Sequence, residues 1–269
     1  MKLFSRSGAR NKTVAEYGHV LKHFDLGSDG RVDYAQWLHP SEGPKSITQD
    51  MVDALRVYIR PGDLVVDIGA HTGDTSIPMA LAAGTDGCCI ALEPNPYVFK
   101  VMEINAGLNR DKTNIVALGC AATDSDGTFT FQYSDAAFCN GGYLSKIESK
   151  RHGNRFELEV QGRNLEALLR RDYAERLDRL SYVKIDTEGY DRHVIQSLMD
   201  VLFEFRPVVR TEVFKNLTLE ERRGLFGLLR DAGYECYKYD EDSYSKGEAI
   251  AESDLMRWKH FDILATPGE

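Results

Sequence analysis

The sequence has no run of ~18 consecutive apolar residues, so no membrane-spanning helix is predicted. Its first residues, MKLFSRSGARNK, are positively charged but lack the apolar segment that a secretory signal needs. The five cysteines are an odd number and include no C-x-x-C pair, which argues against a disulfide framework or a zinc site. We therefore expect reduced cysteines in a cytoplasmic protein.

The sequence also lacks an excess of basic residues. The net charge is −9, whereas broad, sequence-independent binding of nucleic acid needs a positively charged face, so no nucleic-acid partner is expected. The dinucleotide pattern G-x-G-x-x-G is absent, which argues against a nicotinamide-dependent dehydrogenase. Hydrophobic residues make up 42% of the 269 residues, enough for the core of one large α/β domain, with or without an appendage.

Residues 64–76, LVVDIGAHTGDTS, have the pattern of a strand, a tight turn and the start of a helix. The apolar run LVVDI is typical of a strand that is buried on both faces of a parallel sheet. Gly69 and Gly73 let the backbone of the turn come close to a ligand. The polar residues DTS that follow are typical of the start of a helix, and the helix is expected to begin near Thr75.

Asp67 stands two residues before the first glycine of this turn and indicates what the turn would bind. A carboxylate there would repel a phosphate but would accept hydrogen bonds from an ammonium group. That favours the amino-acid end of S-adenosylmethionine over a pyrophosphate. A glycine turn that binds nothing is the alternative.

A second apolar run, residues 88–92, ends in Glu93-Pro94-Asn95-Pro96. In α/β nucleotide sites the acid at the end of the neighbouring strand binds the ribose hydroxyls, and Glu93 occupies that place. Asn95 is predicted to cap the next helix, with Pro96 as its first residue. The alternative is that Glu93 is only a charged strand end.

The rest of the chain alternates strands and helices with one interruption. A helix is expected over 46–58, and further strands over 114–118, 182–185, 208–213, 234–239 and 261–265. Residues 128–133 and 156–160 alternate apolar and polar side chains, which predicts an inserted antiparallel pair. Asn164 is predicted to cap a short helix, and Thr218 with Glu221 to form a capping box. Residues 240–254 are predicted to be an acidic loop.

Residues 1–45 are interpreted as an N-terminal extension and residues 46–269 as the main domain. A turn is expected around Gly27 and Gly30, and residues 40–44 suggest a loop packed over the domain or over the acceptor site. Four basic residues lie together between the inserted strands, either as a solvated loop or as a contact for a phosphorylated acceptor: Lys146, Lys150, Arg151 and Arg155.

Together these motifs resemble the FkbM family of S-adenosylmethionine-dependent methyltransferases over about residues 45–265. The resemblance is carried by VVDIGAHTG, EPNP, AATDSDGTFTF, NLEALL, KIDTEGYD and PVVRTEVF. Glu166, Thr187 and the pair Tyr190-Asp191 depart from the residues usual in the family. These departures leave the fold expectation intact and the acceptor undetermined.

The resemblance implies an α/β, Rossmann-like class I methyltransferase fold, with a seven-stranded mixed sheet whose last strand is antiparallel. It also implies S-adenosylmethionine as cofactor and O-methylation of a hydroxyl on a sugar, glycan or natural product. Carried over by position, Glu93 would bind the ribose, and Pro94 and Asn95 would shape the adenine side. The residues implied to hold the methionine part are Asp67, Gly69, Ala70, His71, Gly73, Asp74 and Thr75. Those implied to lie near adenine are Ala121 and Ala122.

Three carboxylates are predicted at the ends of adjacent strands, namely Asp186, Glu188 and Glu212. Open α/β sheets bind ligands there, so we expect Asp186 or Glu188 to be the general base, with Glu212 as a third carboxylate. The resemblance also implies that Asp186, like Glu188, faces the methyl group of the cofactor. The same three residues are the ligands if a divalent cation binds, which is possible but not expected. His71 and His193 are the alternative bases, although His71 is expected to make a structural hydrogen bond and His193 to be exposed.

Two other functions compete with this interpretation. One is an RNA or protein methyltransferase on the same fold, although the acidic charge disfavours RNA and no aromatic-plus-basic stripe supports it. The other is a non-catalytic module that binds S-adenosylmethionine without transferring its methyl group. The sequence does not name the acceptor.

Overall fold

The computed structural model of the protein describes residues 15–133, 143–144 and 156–268. In chain order its strands are β1 (His19–Leu26), β2 (Gly30–Trp37), β3 (Leu64–Ile68), β4 (Cys88–Leu92), β5 (Ile115–Leu118), β6 (Ala121–Thr123), β7 (Gly127–Tyr133), β8 (Tyr143–Leu144), β9 (Phe156–Asn164), β10 (Leu180–Ile185), β11 (Val208–Val213), β12 (Tyr234–Asp240), β13 (Ser245–Ala249) and β14 (Phe261–Pro267). The α-helices are α1 (Gln49–Leu55), α2 (Ser76–Ala83), α3 (Pro96–Leu108), α4 (Leu165–Asp172), α5 (Asp191–Ser197), α6 (Met199–Phe205) and α7 (Leu219–Asp231).

The largest sheet has the strand order β13-β12-β14-β11-β10-β3-β4-β5. Its strands β11, β10, β3, β4 and β5 run parallel, and β14 is antiparallel to both of its neighbours. The predicted Rossmann-like fold with an antiparallel last strand is therefore confirmed.

One strand of this sheet was not predicted. The segment 240–254 was expected to be an acidic loop, but it contains β13, which pairs with β12 at the edge of the sheet. An edge strand packs on few neighbours, so it needs no apolar alternation. The sequence of β13, SKGEA, is mostly exposed and gave no such signal. The sheet consequently has eight strands instead of seven.

Strand β3 lies between β4 and β10, and all five of its residues are buried. Successive side chains point to opposite faces of a sheet. Val66 and Ile68 pack into the core on the side of α4 to α7, whereas Val65 packs into the core on the side of α1 and α2. This double burial is the reason for the uninterrupted apolar run that predicted the strand.

The inserted antiparallel pair is also confirmed. Strands β7 and β9 pair with Phe131 opposite Leu158, and they form a small sheet of order β6-β9-β7-β8. Strand β9 leads into α4, whose first turn is capped by Asn164: its Oδ1 accepts from the N–H of Ala167 at 2.9 Å. The four basic residues noted between the inserted strands lie outside the described residues.

The N-terminal region forms a β-hairpin, β1 and β2, with the expected turn between them. The amide of Asn105 in α3 fixes β2: its Oδ1 accepts from the N–H of Ala35 at 2.6 Å, and its Nδ2 donates to the carbonyl of Ala35 at 3.0 Å and to that of Thr72 at 2.7 Å. The hydroxyl of Tyr34 lies 2.6 Å from that of Thr72. The hairpin thus packs on the domain, and a domain boundary at residue 45 stays a prediction.

Among the residues described, none of the helices has the length and apolar content needed to cross a lipid bilayer. The cytoplasmic location expected from the cysteines stays a prediction.

Replacing Asn105 with leucine is expected to lower the free energy of unfolding by about 1–3 kcal/mol, because the buried N–H of Ala35 loses its acceptor. Urea unfolding followed by circular dichroism measures the change. Glu103→Ala, on the exposed side of the same helix, is the control and should shift the value by less than about 0.5 kcal/mol. Equal stability of Asn105→Leu and the wild type would show that this amide does not anchor the hairpin.

Candidate active site

A cavity of about 390 Å³ opens at the carboxyl ends of β3, β4 and β10. Chain order reverses across β3, which lies between β4 and β10, and such a point is where open α/β sheets bind ligands. The volume suits a ligand of cofactor size. The predicted site residues that line the cavity are Gly69, Ala70, His71, Asp74, Thr75, Glu93, Pro94, Ala121, Ala122, Asp186 and Glu188.

The glycine turn forms the floor of this cavity. Gly69 has a φ of 75°, and a Cβ at this position would collide with the carbonyl oxygen of Asp186. The N–H groups of Gly69 and Ala70 both donate to the carbonyl of Leu92, at 3.0 and 2.9 Å. The turn is therefore held between the ends of β4 and β10, and only glycine fits at its first position. Gly73 is buried beside the turn and does not line the cavity.

Asp67 does not line the cavity either. Its side chain is fully buried, and its Oδ2 accepts from the hydroxyls of Thr75 at 2.7 Å and Ser76 at 2.6 Å. The ammonium of Lys184 lies 3.3 Å from its Oδ1. The structure thus places the carboxylate behind the floor, where it fixes the start of α2 and pairs with a lysine. The sequence had assigned it to the methionine part of the cofactor.

Glu93 is fixed at the end of β4 and is 4% exposed. Its Oε2 accepts from the N–H of His71 at 3.0 Å, and its Oε1 accepts from the N–H of Asn95 at 2.7 Å. Two backbone donors therefore hold the carboxylate in a fixed orientation at the cavity wall. Asn95 does not line the cavity; its side chain caps α3 by accepting from the N–H of Tyr97 at 3.0 Å, as predicted.

His71 lines the cavity with a φ of 51°. Burial lowers the pKa of its imidazole to about 4, so the ring is neutral at pH 7 and a weak acceptor of protons. Its Nδ1 lies 3.4 Å from the hydroxyl of Thr72, in line with the expected structural role. His193 is outside the cavity and exposed, as the sequence predicted, with its ring stacked on Tyr190 at a centroid distance of 4.6 Å.

Two of the three predicted carboxylates face the cavity. Burial, and then the negative charge of Asp186, raises the pKa of Glu188 to about 7. Glu188 also has a φ of 54°, which is unusual for a residue with a side chain. Asp186 is 3.3 Å from the ammonium of Lys184. Glu212 is outside the cavity and buried, 3.4 Å from the Nδ1 of His260.

Binding of a divalent cation by these three carboxylates stays a prediction. Among residues 15–133, 143–144 and 156–268, no group of three or more His, Cys, Asp or Glu side chains is arranged to hold a metal ion. The described cysteines, Cys88, Cys89, Cys120 and Cys236, are buried free thiols, and Cys139 lies outside the described residues.

The loop at 40–44 was expected over the domain or the acceptor site, and Ser41, Glu42 and Gly43 line the cavity. Sequence reasoning nevertheless assigned no site role to four polar residues in or beside the cavity: Glu42, Lys45, Lys184 and Asp191. Lys184 had a detectable signal, because a lysine inside a strand buried on both faces must have charged partners. Burial disfavours its charge, but Asp67 and Asp186 outweigh this and raise its pKa above the usual range. Asp191 is buried and accepts from the hydroxyls of Thr187 at 3.0 Å and Thr211 at 3.2 Å.

Glu212→Gln is expected to become more stable relative to the wild type as the pH rises from 5 to 8. Burial, followed by the charges of Asp186 and Asp191, raises the pKa of Glu212 well above its usual range. The folded protein therefore keeps a proton that the unfolded chain loses near pH ~4.3, and this group's contribution to stability falls with rising pH by up to ~1.4 kcal/mol per unit.

Urea unfolding of both proteins at each pH measures the difference, with the exposed substitution Glu220→Gln as control. A difference between Glu212→Gln and the wild type that stays constant with pH would show that Glu212 is charged in the folded protein.

The amino-acid sequence matches the model of the methyltransferase FkbM domain over residues 67–236, more than half of the chain. It is also 24% identical to methyltransferase sdnD from Sordaria araneosa over 192 residues, covering 64% of this chain and 73% of that protein.

Similar solved structures include methyltransferase FkbM from Methylobacillus flagellatus KT, at 11% identity and a TM-score of 0.45, covering 79% of this chain and 50% of that one. An S-adenosylmethionine-dependent O-methyltransferase from Thermotoga maritima has 12% identity and a TM-score of 0.44, covering 92% and 78%. These likenesses are weak, so the fold assignment rests on the strand order. The sequence match confirms the resemblance: the chain belongs to the FkbM methyltransferase family and is an S-adenosylmethionine-dependent methyltransferase of that type.

Proposed function

We propose that the protein methylates a hydroxyl group of a sugar, glycan or natural product, with Glu188 as the general base. The observation that carries this proposal is a carboxyl group on the cavity wall whose pKa is raised to about 7. A base is most effective when its pKa lies near the working pH, because it is then partly deprotonated and still binds a proton well. An alcohol is a weak acid, and its methylation benefits from such a base.

The residues of the cavity fit S-adenosylmethionine. The cradle at Gly69 has no room for a side chain, and Glu93 has a fixed carboxylate that suits ribose hydroxyls. Ala121 and Ala122 offer a small, apolar surface suited to a flat ring. When bound, the cofactor supplies an electrophilic methyl group on a positively charged sulfur.

The chain's own part in the reaction is to align the acceptor and to receive its proton. Alignment of two reactants supplies roughly 7–11 kcal/mol in favourable cases, and a general base adds about 10²–10⁴-fold. Asp186 suits the first task, because Lys184 holds its carboxylate at 3.3 Å. Phe131 and Tyr133 close the cavity on the side of the small sheet and would pack on a ring-containing acceptor.

Glu93→Ala is expected to abolish micromolar binding of S-adenosylhomocysteine, because the ribose hydroxyls lose their acceptor. Isothermal titration calorimetry measures the affinity, and Glu103→Ala is the control with an exposed glutamate removed. Failure of the folded wild-type protein to bind S-adenosylmethionine or S-adenosylhomocysteine would refute the cofactor assignment.

Glu188→Gln is expected to lower the rate of methyl transfer by about 10²–10⁴-fold at pH 7.5, because the amide accepts no proton. The wild-type rate should rise with pH through about 7, as the carboxyl group loses its proton. Transfer of a labelled methyl group to hydroxyl-bearing extracts, and then to the purified acceptor, provides the assay.

The exposed substitution Glu220→Gln serves as control for Glu188→Gln. If Glu188→Gln keeps the wild-type rate and pH profile, Glu188 is not the base. Tight cofactor binding without transfer to any extract would favour the non-catalytic module, and transfer only to RNA or protein would favour the alternative methyltransferase function.

A further inference from the structure

One wall of the cavity comes from a segment that precedes the matched domain. Ser41, Glu42, Gly43 and Lys45 line this wall, here called the 41–45 segment. The buried side chain of Gln36 holds its backbone: Oε1 accepts from the N–H of Lys45 at 2.7 Å, and Nε2 donates to the carbonyl of Gly43 at 3.2 Å. Because the hairpin itself is packed on α3, the segment is held in position before any ligand binds.

Opposite charges meet where the 41–45 segment faces the start of α2. The ammonium of Lys45 lies 3.1 Å from the Oδ2 of Asp74 and 3.5 Å from the Oε1 of Glu42. The Glu42 side chain is only 5% exposed, and within the described part of the chain its Oε1 is buried and accepts no hydrogen bond. Burial removes the hydrogen bonds that a carboxylate makes to water, and the protein supplies few donors to replace them. Burial accordingly raises its pKa.

The position of this charged wall points to one end of the cofactor. Glu93 ends β4, and Ala121 and Ala122 follow β5, so the groups suited to ribose and adenine lie on the β4–β5 side of the cavity. Next to the glycine turn that follows β3, Lys45 pairs with Asp74, and the Oε2 of Glu42 lies 3.8 Å from the Nε2 of His71. That is the side left for the amino-acid end, which carries one ammonium and one carboxylate group.

The carboxylate that the sequence offered for this ammonium is already engaged. Asp67 is fully buried, accepts two hydroxyl hydrogen bonds and pairs with Lys184, and it does not line the cavity. Lys184 in turn lies between Asp67 and Asp186 with its side chain only 6% exposed, whereas the side chain of Lys45 is 30% exposed and is open to a ligand. Glu42 and Lys45 therefore place a carboxylate and an ammonium group side by side on the cavity wall. A zwitterionic ligand can pair with both groups at once.

We propose that the 41–45 segment binds the amino-acid end of S-adenosylmethionine, with Glu42 accepting from its ammonium group and Lys45 donating to its carboxylate. This inference rests on the assignment of the cofactor. Each contact is a charge-assisted hydrogen bond, and for Glu42, whose side chain is only 5% exposed, loss of the partner costs more than it would on the surface. The cofactor site thus extends beyond the matched residues 67–236.

Two ligands that differ only at this end test the inference by calorimetry. S-adenosylhomocysteine carries the ammonium and carboxylate groups, whereas 5′-methylthioadenosine keeps the adenosine and the sulfur but lacks both. Glu42→Gln and Lys45→Met should each weaken binding of S-adenosylhomocysteine by about 10- to 100-fold and leave the Kd of 5′-methylthioadenosine unchanged. Glu93→Ala should weaken both ligands, and Lys100→Met, at an exposed lysine of α3, should weaken neither.

Lys45→Arg keeps the positive charge and should retain most of the affinity for S-adenosylhomocysteine, which separates loss of charge from loss of folding. If Glu42→Gln and Lys45→Met bind S-adenosylhomocysteine like the wild type while Glu93→Ala does not, the inference is wrong and the cofactor assignment stands. Equal weakening of both ligands in Lys45→Met would also overturn it, since the segment would then be only structural. Failure of the wild type to bind either ligand would overturn the cofactor assignment itself.

Discussion

The buried ion pair between Lys184 and Asp67 is the interaction on which the architecture of the site depends. The two residues are direct neighbours in the register of β10 and β3, and the same ammonium reaches Asp186 at the edge of the cavity. An unpaired charge at this depth would destabilise the fold strongly, so the three side chains form one unit. Through Thr75 and Ser76 that unit also fixes the start of α2, and with it the glycine turn between strand and helix.

Local chemistry made much of this fold predictable. The caps at Asn95, Asn164 and Thr218 follow from hydrogen bonds between residues at most three apart, and all three are present. The apolar run of β3 follows from burial on two faces. The direction of the Asp67 side chain depends instead on a lysine that is more than one hundred residues away in the chain, and no local pattern reports such a pair. Strand β13 was missed for the opposite reason, because an exposed edge strand needs no pattern.

The same contrast holds within the site. Glu93 and Glu188 were predictable because an acid at the end of a parallel strand faces the ligand edge of the sheet. Glu42 and Lys45 reach the cavity from a hairpin that belongs to neither the sheet nor its crossover helices, so no rule of α/β topology points to them. What makes them lining residues is the packing of β2 on α3, which is stabilised by the buried amides of Asn105 and Asn109 and by aromatic side chains such as Trp37.

The hydrogen bonds of the Asn105 amide restrict how ligands enter and leave the cavity. It joins residues that are 70 and 33 positions away in the chain, one in the hairpin and one in the glycine turn, and all of its bonds are buried. The hairpin is therefore tied to the floor of the cavity and does not open as a separate flap without breaking them. The cofactor and the product therefore have to enter and leave while this wall of the cavity stays in place.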